Sequence, residues 1–301
     1  MNELYSQQLD FWQGGAKMSN RSVYTLHEDC ESAPTQTMSS AKSIFKIATW
    51  NVNSLRVRLE HVLAWLTSHQ PHLLAVQETK VENQHFPEEA FKQAGYHVLY
   101  NGQKTYNGVA FISRIPMQNE VTFLPDFDDT QRRILVVNIG SLRIVNIYVP
   151  NGSNLDSEKF IYKLRWLKQL KIYLQQELSR HPHLIVLGDF NIAPEDKDVH
   201  DPKIWQGKVL VSPQERQALK EILALGLKDS FRLFNNEPGH YTWWDYRAGA
   251  FRRNHGLRID HILSSDTLIS QCIACEIDKE IRLWEKPSDH VPVIATYQNI
   301  S

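Results

Sequence analysis

From residue 44 onward, continuous apolar runs alternate with segments in which apolar residues recur at helical spacing. Ile44 to Trp50 is strand-like, and the next apolar residues recur at the period of a helix. Pro71 blocks that helix, and 73-LLAVQE-78 follows as a second buried strand that ends on a carboxylate. A strand, a helix and a strand in this order predict a crossover unit with parallel strands.

From Tyr96 the pattern changes to closely spaced apolar runs. Strand candidates at 96–100, 108–113, 133–139 and 142–149 leave no room for helices, so they are predicted to pair antiparallel. A long amphipathic helix then covers about 157–179.

The stretch 184-LIVLGDFNIAP-194 begins as a buried strand and stops at Gly-Asp-Phe-Asn. Positions 189 and 191 of an extended chain point to the same side, so Asp189 and Asn191 are predicted to face one small volume. The alternative is an ordinary turn, since Asp and Asn often bond their own backbone where strands end. Taken alone, the stretch favours the turn.

The remaining elements complete an α/β pattern. Ser212 is a plausible cap of a helix that begins at Pro213, and strands are predicted at 257–263 and 290–297. Mixed strands with flanking helices predict two packed sheets covered by helices, in one domain over 44–301. Residues 1–43 are predicted to be a flexible arm because their second half is almost entirely polar.

Composition changes this picture little. The 301 residues are 42% hydrophobic and 22% charged, with a net charge of −1, which argues against a generally cationic coat but allows local basic patches. No apolar run approaches the ~20 residues that span a bilayer, so no membrane partner is expected. Cys272 and Cys275 have C-x-x-C spacing, yet no second pair exists and their surroundings are core-like, so a structural role is predicted. Few cysteines are typical of a reducing, cytoplasmic setting.

Polar residues recur where the predicted strands end or begin. Each has an ordinary explanation: Asp260 could pair with Arg258, Tyr148 could be a core aromatic, and His290 could cap a turn. As a set they offer carboxylates, amides, a phenol and an imidazole at positions where sheet proteins gather ligands. The set is Asn51, Glu78, Tyr148, Asp189, Asn191, Asp260, Asp289 and His290.

Eight stretches in order along the chain resemble the exonuclease III type of abasic-site endonuclease, within the DNase I-like metal-dependent phosphoesterases. They are 49-TWNVNSLRVR-58, 76-VQETK-80, 131-QRR-133, 148-YVPNG-152, 187-LGDFN-191, 241-YTWWDYR-247, 256-GLRID-260 and 287-PSDH-290. The resemblance extends from about Ile44 to Tyr297 and implies a four-layer α/β/β/α sandwich of two mixed β-sheets flanked by helices.

The resemblance implies a magnesium site, with manganese as the alternative ion. Magnesium prefers oxygen ligands and usually keeps several waters, so one or two carboxylates suffice. Glu78 is the first expected ligand, Asn51 would orient the site, and Asp289 would reach a second metal position or hold the site together. Asp189 and Asn191 are expected to share in metal binding. Asn53 stands where some relatives carry Asp, and an amide there would weaken metal binding.

The resemblance also implies catalytic roles. Asp189 would orient or deprotonate the attacking water, with Asn191 beside it. His290 would donate to the phosphoryl oxygens, and Asp260 would hold its ring in the needed tautomer. Tyr148 and Asn151 would contact the phosphate.

The segment 240-HYTWWDYRAGAFRRNHGLR-258 mixes aromatic and basic residues, a combination that suits nucleic acid. The resemblance places Trp243 against an extrahelical deoxyribose, although one of Trp243 and Trp244 is expected to fill core space. The other predicted DNA contacts are Arg132, Arg133, Trp244, Arg247 and Asn254.

Three functions remain open from the sequence. The first is a magnesium-dependent repair nuclease that cuts double-stranded DNA 5′ to abasic sites and trims 3′ ends, acting as a monomer. The second is a phosphoesterase of the same superfamily acting on a lipid or inositol phosphate, which the Trp-Trp-Asp-Tyr-Arg run disfavours. The third is an inactive DNA-binding module, which the intact Glu78, Asp189 and His290 disfavour.

Overall fold

Two six-stranded mixed sheets form the centre of the protein, described by a computed structural model over residues 43–300. The arm predicted for residues 1–43 lies outside this range, apart from Ser43. In the first sheet the strand order is β11-β12-β1-β2-β4-β3. Its strands are β1 (Ile44–Asn51), β2 (Leu73–Gln77), β3 (His97–Asn101), β4 (Val109–Ser113), β11 (Cys272–Ile277) and β12 (Val293–Gln298).

The second sheet also has six strands. Its order is β5-β6-β7-β8-β10-β9. Its strands are β5 (Gln118–Val121), β6 (Ile134–Ile139), β7 (Leu142–Tyr148), β8 (Leu184–Asp189), β9 (Leu227–Asp229) and β10 (Asp260–Ser265). Each sheet has one parallel pair at its centre, β1–β2 in the first and β7–β8 in the second, and its other pairs are antiparallel.

A long helix connects the strands of each parallel pair. Helix α1 (Leu55–His69) joins β1 to β2, and α3 (Glu158–Arg180) joins β7 to β8. Helix α3 begins where the Ser157 hydroxyl oxygen accepts a hydrogen bond from the Phe160 backbone N–H, which satisfies a donor that the first turn leaves free. The other helices are α2 (Glu88–Gln93), α4 (Pro202–Trp205), α5 (Pro213–Leu223) and α6 (Asp266–Ile269).

The apolar residues form three main layers of core. One lies between the sheets and includes Ile47 and Leu187. A second packs α1 and α2 on the first sheet, and a third packs α3 and α5 on the second. The alternation of buried faces in each strand therefore produces the α/β/β/α sandwich that the resemblance implied, which is confirmed.

Some boundaries differ from the predicted ones. Asp260 opens β10 instead of lying inside a strand, and Asp289 and His290 precede β12. Three short strands, β5, β9 and β11, were not predicted. Cys272 and Cys275 lie on β11 as buried free thiols, and burial raises the pKa of both. Within residues 43–300 no helix is long and apolar enough to cross a membrane.

Candidate active site

The site lies where the two parallel pairs end. Asn51 is the last residue of β1 and Glu78 directly follows β2, whereas Tyr148 and Asp189 end β7 and β8. In the second sheet Asp189 stands opposite both Tyr148 and Asp260 across its two neighbouring strands. Because parallel strands end at the same edge, each sheet delivers polar side chains to one place.

Asn51 connects the two sheets through its amide. Its Nδ2 donates to Glu78 Oε1 and to Asp189 Oδ2, both at 2.9 Å. Its Oδ1 accepts from the Asn53 backbone N–H at 3.0 Å. Asn51 therefore turns its nitrogen toward the two carboxylates and orients both of them.

Glu78 is a partly buried residue whose backbone lies in the left-handed region, at φ 51°. Burial acts to raise its pKa, but the Lys80 ammonium and the Asn51 hydrogen bond outweigh burial and lower it. Lys80 Nζ lies 2.8 Å from Glu78 Oε2 and donates to Asn53 Oδ1 at 2.6 Å. Glu78 is thus an anion held in a fixed position.

Asp189 is held by its neighbour two residues along. Its Oδ1 accepts from the Asn191 backbone N–H at 2.8 Å, and its Oδ2 accepts from Asn191 Nδ2 at 3.1 Å. Burial raises the pKa of Asp189 to about 7, with the negative charge of Asp260 adding to the effect and His290 opposing it. Asp189 and Asn191 therefore form an ordinary turn and also belong to the site. The same local hydrogen bonds that close the turn orient a carboxylate whose pKa is raised toward neutral pH.

His290 and Asp260 form a buried pair beside Asp189. The ring donates from Nδ1 to Asp260 Oδ2 at 2.8 Å, and its Nε2 lies 3.8 Å from Asp189 Oδ2. Burial disfavours the imidazolium, but the charges of Asp260 and Asp189 outweigh it and raise the pKa of His290 to about 10. The ring is therefore a cation that presents Nε2–H toward Asp189. The alternative partner for Asp260 is excluded, since Arg258 pairs with Asp198 and Asp229.

Tyr148 lies between the carboxylates and a cleft of about 670 Å³. Burial and the charges of Glu78 and Asp189 raise the pKa of its hydroxyl, so it remains a phenol and a proton donor. The guanidinium of Arg133 lies 4.7 Å from the centre of its ring. Asn151 lines the same cleft and donates from Nδ2 to Asn191 Oδ1 at 3.1 Å.

The donor set fits a hard divalent cation. Glu78 and Asp189 are carboxylates that Asn51 joins, and such oxygen ligands are what magnesium prefers. Asp189, Asp260 and His290 also lie within 4.8 Å of one another by one ligand atom each. The Asp260 Oδ1 atom is buried without a hydrogen-bond partner, so this part of the site has an acceptor to spare.

The Asp289 carboxylate binds neighbouring side chains, whereas a metal contact was one of the roles predicted for it. Its Oδ1 accepts from Asn53 Nδ2 at 2.9 Å and its Oδ2 accepts from Trp243 Nε1 at 3.0 Å. Both oxygens are therefore engaged with neighbouring side chains. The geometry supports the other predicted possibility, that Asp289 holds the site together.

The two tryptophans of the aromatic segment separate clearly. Trp243 is half-buried beside the site, and its backbone pairs with His290 and Leu257. Trp244 is fully buried and donates from Nε1 to Asn254 Oδ1 at 3.2 Å. The DNA contact predicted for Trp244 is therefore wrong for this structure, because its side chain packs in the core with no exposed surface.

The other predicted DNA contacts also divide by exposure. Arg132, Arg247 and Asn254 are exposed, so a large polyanion has access to them. Arg133 is 8% exposed and donates to Gln131 Oε1 and the Tyr148 carbonyl. Arg133 therefore supports the residues that form the floor of the cleft and presents little exposed surface of its own.

Sequence reasoning missed two lysines at the site. Lys80 stands two residues after Glu78, within a stretch quoted for the family resemblance, so its position was a usable signal. Lys163 on α3 is fully buried and donates to the Asn191 carbonyl at 2.7 Å. Nothing in the helical pattern separates it from the exposed lysines of α3.

Fold and site together define a class of phosphoester hydrolase. The chain belongs to the endonuclease/exonuclease/phosphatase family, which it matches over residues 48–290. Within this superfamily of metal-dependent nucleases it belongs to the exodeoxyribonuclease III and abasic-site endonuclease group, so it is a hydrolytic nuclease of DNA repair.

Three relatives define that group. The exodeoxyribonuclease III of Haemophilus influenzae is 36% identical over 266 residues, which cover 84% of this chain and 100% of the relative. A 3′ phosphatase from Neisseria, solved with a product DNA hairpin, is 45% identical with a TM-score of 0.83 and covers 84% of this chain and 99% of its own. An AP endonuclease from Archaeoglobus fulgidus is 41% identical with a TM-score of 0.81 and covers 85% of this chain and 100% of its own.

Proposed function

We propose that the protein is a magnesium-dependent nuclease of double-stranded DNA that cuts 5′ to abasic sites and removes nucleotides or blocking groups from 3′ ends. The observation that carries the proposal is the pairing of buried Asp189 with the imidazolium of His290, 3.8 Å apart, beside Tyr148. This arrangement places a proton acceptor and two proton donors around one small volume. The functions named for the Neisseria and Archaeoglobus structures agree with it.

The residues divide the work of hydrolysis. Asp189 accepts the proton of the attacking water, because it is a buried carboxylate that Asn51 and Asn191 hold in one orientation beside His290. His290 and Tyr148 donate hydrogen bonds to phosphoryl oxygens as charge develops there. Asn191 holds Asp189 in position, and Asn151 donates to Asn191 beside the cleft.

Glu78 would hold the metal, with Asp189 sharing it on the other side of Asn51. When bound, magnesium neutralises charge on the phosphoryl oxygens and on the departing alkoxide. The ammonium of Lys80 keeps the Glu78 carboxylate ionised, because it lies 2.8 Å from Oε2. Manganese suits the same oxygen ligands.

The surface around the site supports the proposed action on abasic sites. The half-buried indole of Trp243 donates to Asp289, the residue before His290, and suits contact with a sugar that carries no base. An abasic nucleotide leaves the helix at low cost because it has no base pair to break. Arg132, Arg247 and Asn254 would contact the DNA backbone on either side.

The test uses three labelled duplexes: one with a stable abasic analogue, one with a 3′ phosphate and one undamaged with recessed 3′ ends. Each is incubated with magnesium, with manganese and with chelator. We expect metal-dependent incision 5′ to the analogue and removal of the 3′ groups. The Asp189→Asn variant should lose about 10²–10⁴-fold in rate, the typical worth of a positioned base.

The control is Asp266→Asn, an exposed carboxylate just beyond the far end of β10, which should leave the rate unchanged. Metal-dependent processing of 3′ ends without abasic incision would remove the abasic half of the proposal. No processing of any duplex by folded protein would contradict the proposal as a whole and favour a non-DNA phosphoester. A monomer in solution and a cytoplasmic location stay predictions, which light scattering and cell fractionation would test.

A further inference from the structure

Lys163 is a charged side chain in the interior, next to the carboxylates and amides of the site, and the proposed hydrolysis gives it no role. It lies on α3 with 0% of its surface exposed. Its Nζ donates to the Asn151 carbonyl at 3.1 Å, to the Asn191 carbonyl at 2.7 Å and to Glu215 Oε1 at 2.5 Å. An ammonium has three N–H donors, so all three are used.

Stability alone does not explain a charge at this position. Burial lowers the pKa of Lys163, whereas the Glu215 carboxylate, its hydrogen bond and the charge of Asp189 act in the opposite direction. A buried ion pair is often no more stable than apolar side chains of similar size, because both ions lose their hydration. The same helix, α3, contributes apolar residues to the third core layer. The two carbonyl contacts indicate what the charge is for.

Those carbonyls belong to two residues of the site. Asn151 donates from Nδ2 to Asn191 Oδ1, and Asn191 donates twice to the Asp189 carboxylate. Asn191 has φ 49°, a left-handed conformation that costs energy for a residue with a side chain. The Lys163 bond to its carbonyl holds that conformation, and with it the direction of the amide that faces Asp189.

Glu215 fixes the other side of the lysine. Its carboxylate accepts from the Leu210 N–H at 2.9 Å, the Ser212 N–H at 3.0 Å and the Ser212 hydroxyl at 2.5 Å. This is the capping box that begins α5. The pair therefore joins α3 and α5, the two helices that cover the second sheet, directly to the loops of the site.

We propose that Lys163 is a positioning residue for hydrolysis, which acts through Asn191 and Asn151 on the orientation of Asp189. The inference rests on the proposed function of that site. It assigns Lys163 no contact with DNA or with the reacting water. Its loss should slow the chemical step and leave DNA affinity nearly unchanged.

The test separates positioning from stability with three variants. Lys163→Met removes the charge but leaves the Glu215 carboxylate buried without a counterion. Glu215→Gln removes the ion pair but keeps Lys163 and its two carbonyl contacts. The double variant Lys163→Met with Glu215→Gln removes both charges, so it avoids the unpaired ion. Melting temperature, single-turnover rate on a 3′-phosphate duplex and DNA dissociation constant in chelator are measured for each.

We expect Lys163→Met to lose both melting temperature and rate. The double variant should recover most of the melting temperature, yet its single-turnover rate should stay about 10–100-fold below wild type, as expected for a misplaced catalytic group. Its dissociation constant for DNA should stay within about twofold of wild type, because no DNA contact is lost. Glu215→Gln should keep most of the rate, since both carbonyl contacts remain.

Two results would overturn the inference. One is a double variant that turns over at the wild-type rate, which would make the pair purely structural. The other is a Glu215→Gln variant as slow as Lys163→Met, which would assign the effect to the ion pair and not to the carbonyl contacts. An inactive wild-type protein would instead contradict the proposed function itself, so the two failures are distinguishable.

Discussion

Asp260 acts on His290 in two ways that follow from one contact. Its Oδ2 accepts the Nδ1–H at 2.8 Å, which fixes the tautomer and leaves Nε2 facing Asp189. Its negative charge also favours the imidazolium, which burial alone would disfavour. A neutral amide at this position would keep the shape of the side chain and lose both effects.

Asp260→Asn should therefore lower the single-turnover rate by about 10²–10⁴-fold, within the range for a positioned acid or base. DNA affinity should change little, because Asp260 is 1% exposed and out of reach of a large substrate. Rates and dissociation constants on the same duplex provide the measurement. A variant that weakened binding while keeping its rate would place Asp260 in substrate recognition instead.

At the scale of residues, the sequence predicted those site members that occupy the ends of strands. An apolar run ends at each of four residues, so the sequence alone could point to them: Asn51, Glu78, Tyr148 and Asp189. Trp243 and Trp244 could not be told apart, since they lie in an irregular loop whose path no periodicity describes. Lys163 was missed for a different reason: the sequence alone does not distinguish a buried lysine on an amphipathic helix from an exposed one.

Gly188 is the glycine on which strand β8 depends. It has φ 145°, and a Cβ built on it would lie 1.9 Å from the Ile147 carbonyl oxygen of β7. That close approach sets the spacing of the parallel pair one residue before Tyr148 and Asp189 face each other. No other residue fits without moving backbone.

Gly188→Ala should destabilise the protein by ~3 kcal/mol or more, since strain at positive φ adds to a backbone clash. The matched control is Gly207→Ala at φ 73°, where a Cβ meets nothing within 4 Å. There the cost should be about 1–2 kcal/mol, from the left-handed conformation alone. Urea unfolding of both variants measures the difference, and equal losses would show that the contact with β7 is not responsible.

At the scale of elements, the crossover units and long helices were predictable and the short strands were not. Helices α1 and α3 carry apolar residues at helical spacing, and the β-strands they connect are continuous apolar runs. By contrast, β5 (QNEV) and β9 (LKD) have little apolar pattern, because they lie at the edge of a sheet. Their pairing is decided by the neighbouring strand.

A buried network of charges joins parts of the molecule that are distant in sequence. Arg258 pairs with Asp198 at 2.6 Å and with Asp229 at 2.7 Å, and its Nη1 lies 3.0 Å from His261 Nδ1. His261 Nε2 lies 2.9 Å from the Ile192 carbonyl. The imidazole is therefore neutral, with its proton on Nε2 and its bare Nδ1 facing the guanidinium.

This network predicts how stability depends on pH. Burial and the Arg258 charge lower the pKa of His261 from 6.5. Below pH 6.5 the unfolded chain binds a proton at His261 that the folded protein does not bind, so acid favours unfolding. The contribution of His261 is a loss of up to about 1.4 kcal/mol for each pH unit below 6.5, until its folded-state pKa is reached.

In His261→Gln the side chain keeps a donor for the Ile192 carbonyl and has no proton to gain. Its free energy of unfolding should therefore fall less steeply than that of wild type between about pH 6.5 and pH 5. Urea unfolding at several pH values measures both curves. Parallel curves would mean that His261 is protonated in the folded protein as readily as in the unfolded chain.

The order of strands in the first sheet makes the centre depend on the last part of the chain. β12 lies between β11 and β1, and His290 stands three residues before it. A nascent chain that has made Glu78 and Asp189 still lacks the strand that borders β1 and the imidazole beside Asp189. A polypeptide released before residue 290 would therefore carry both carboxylates and no complete centre.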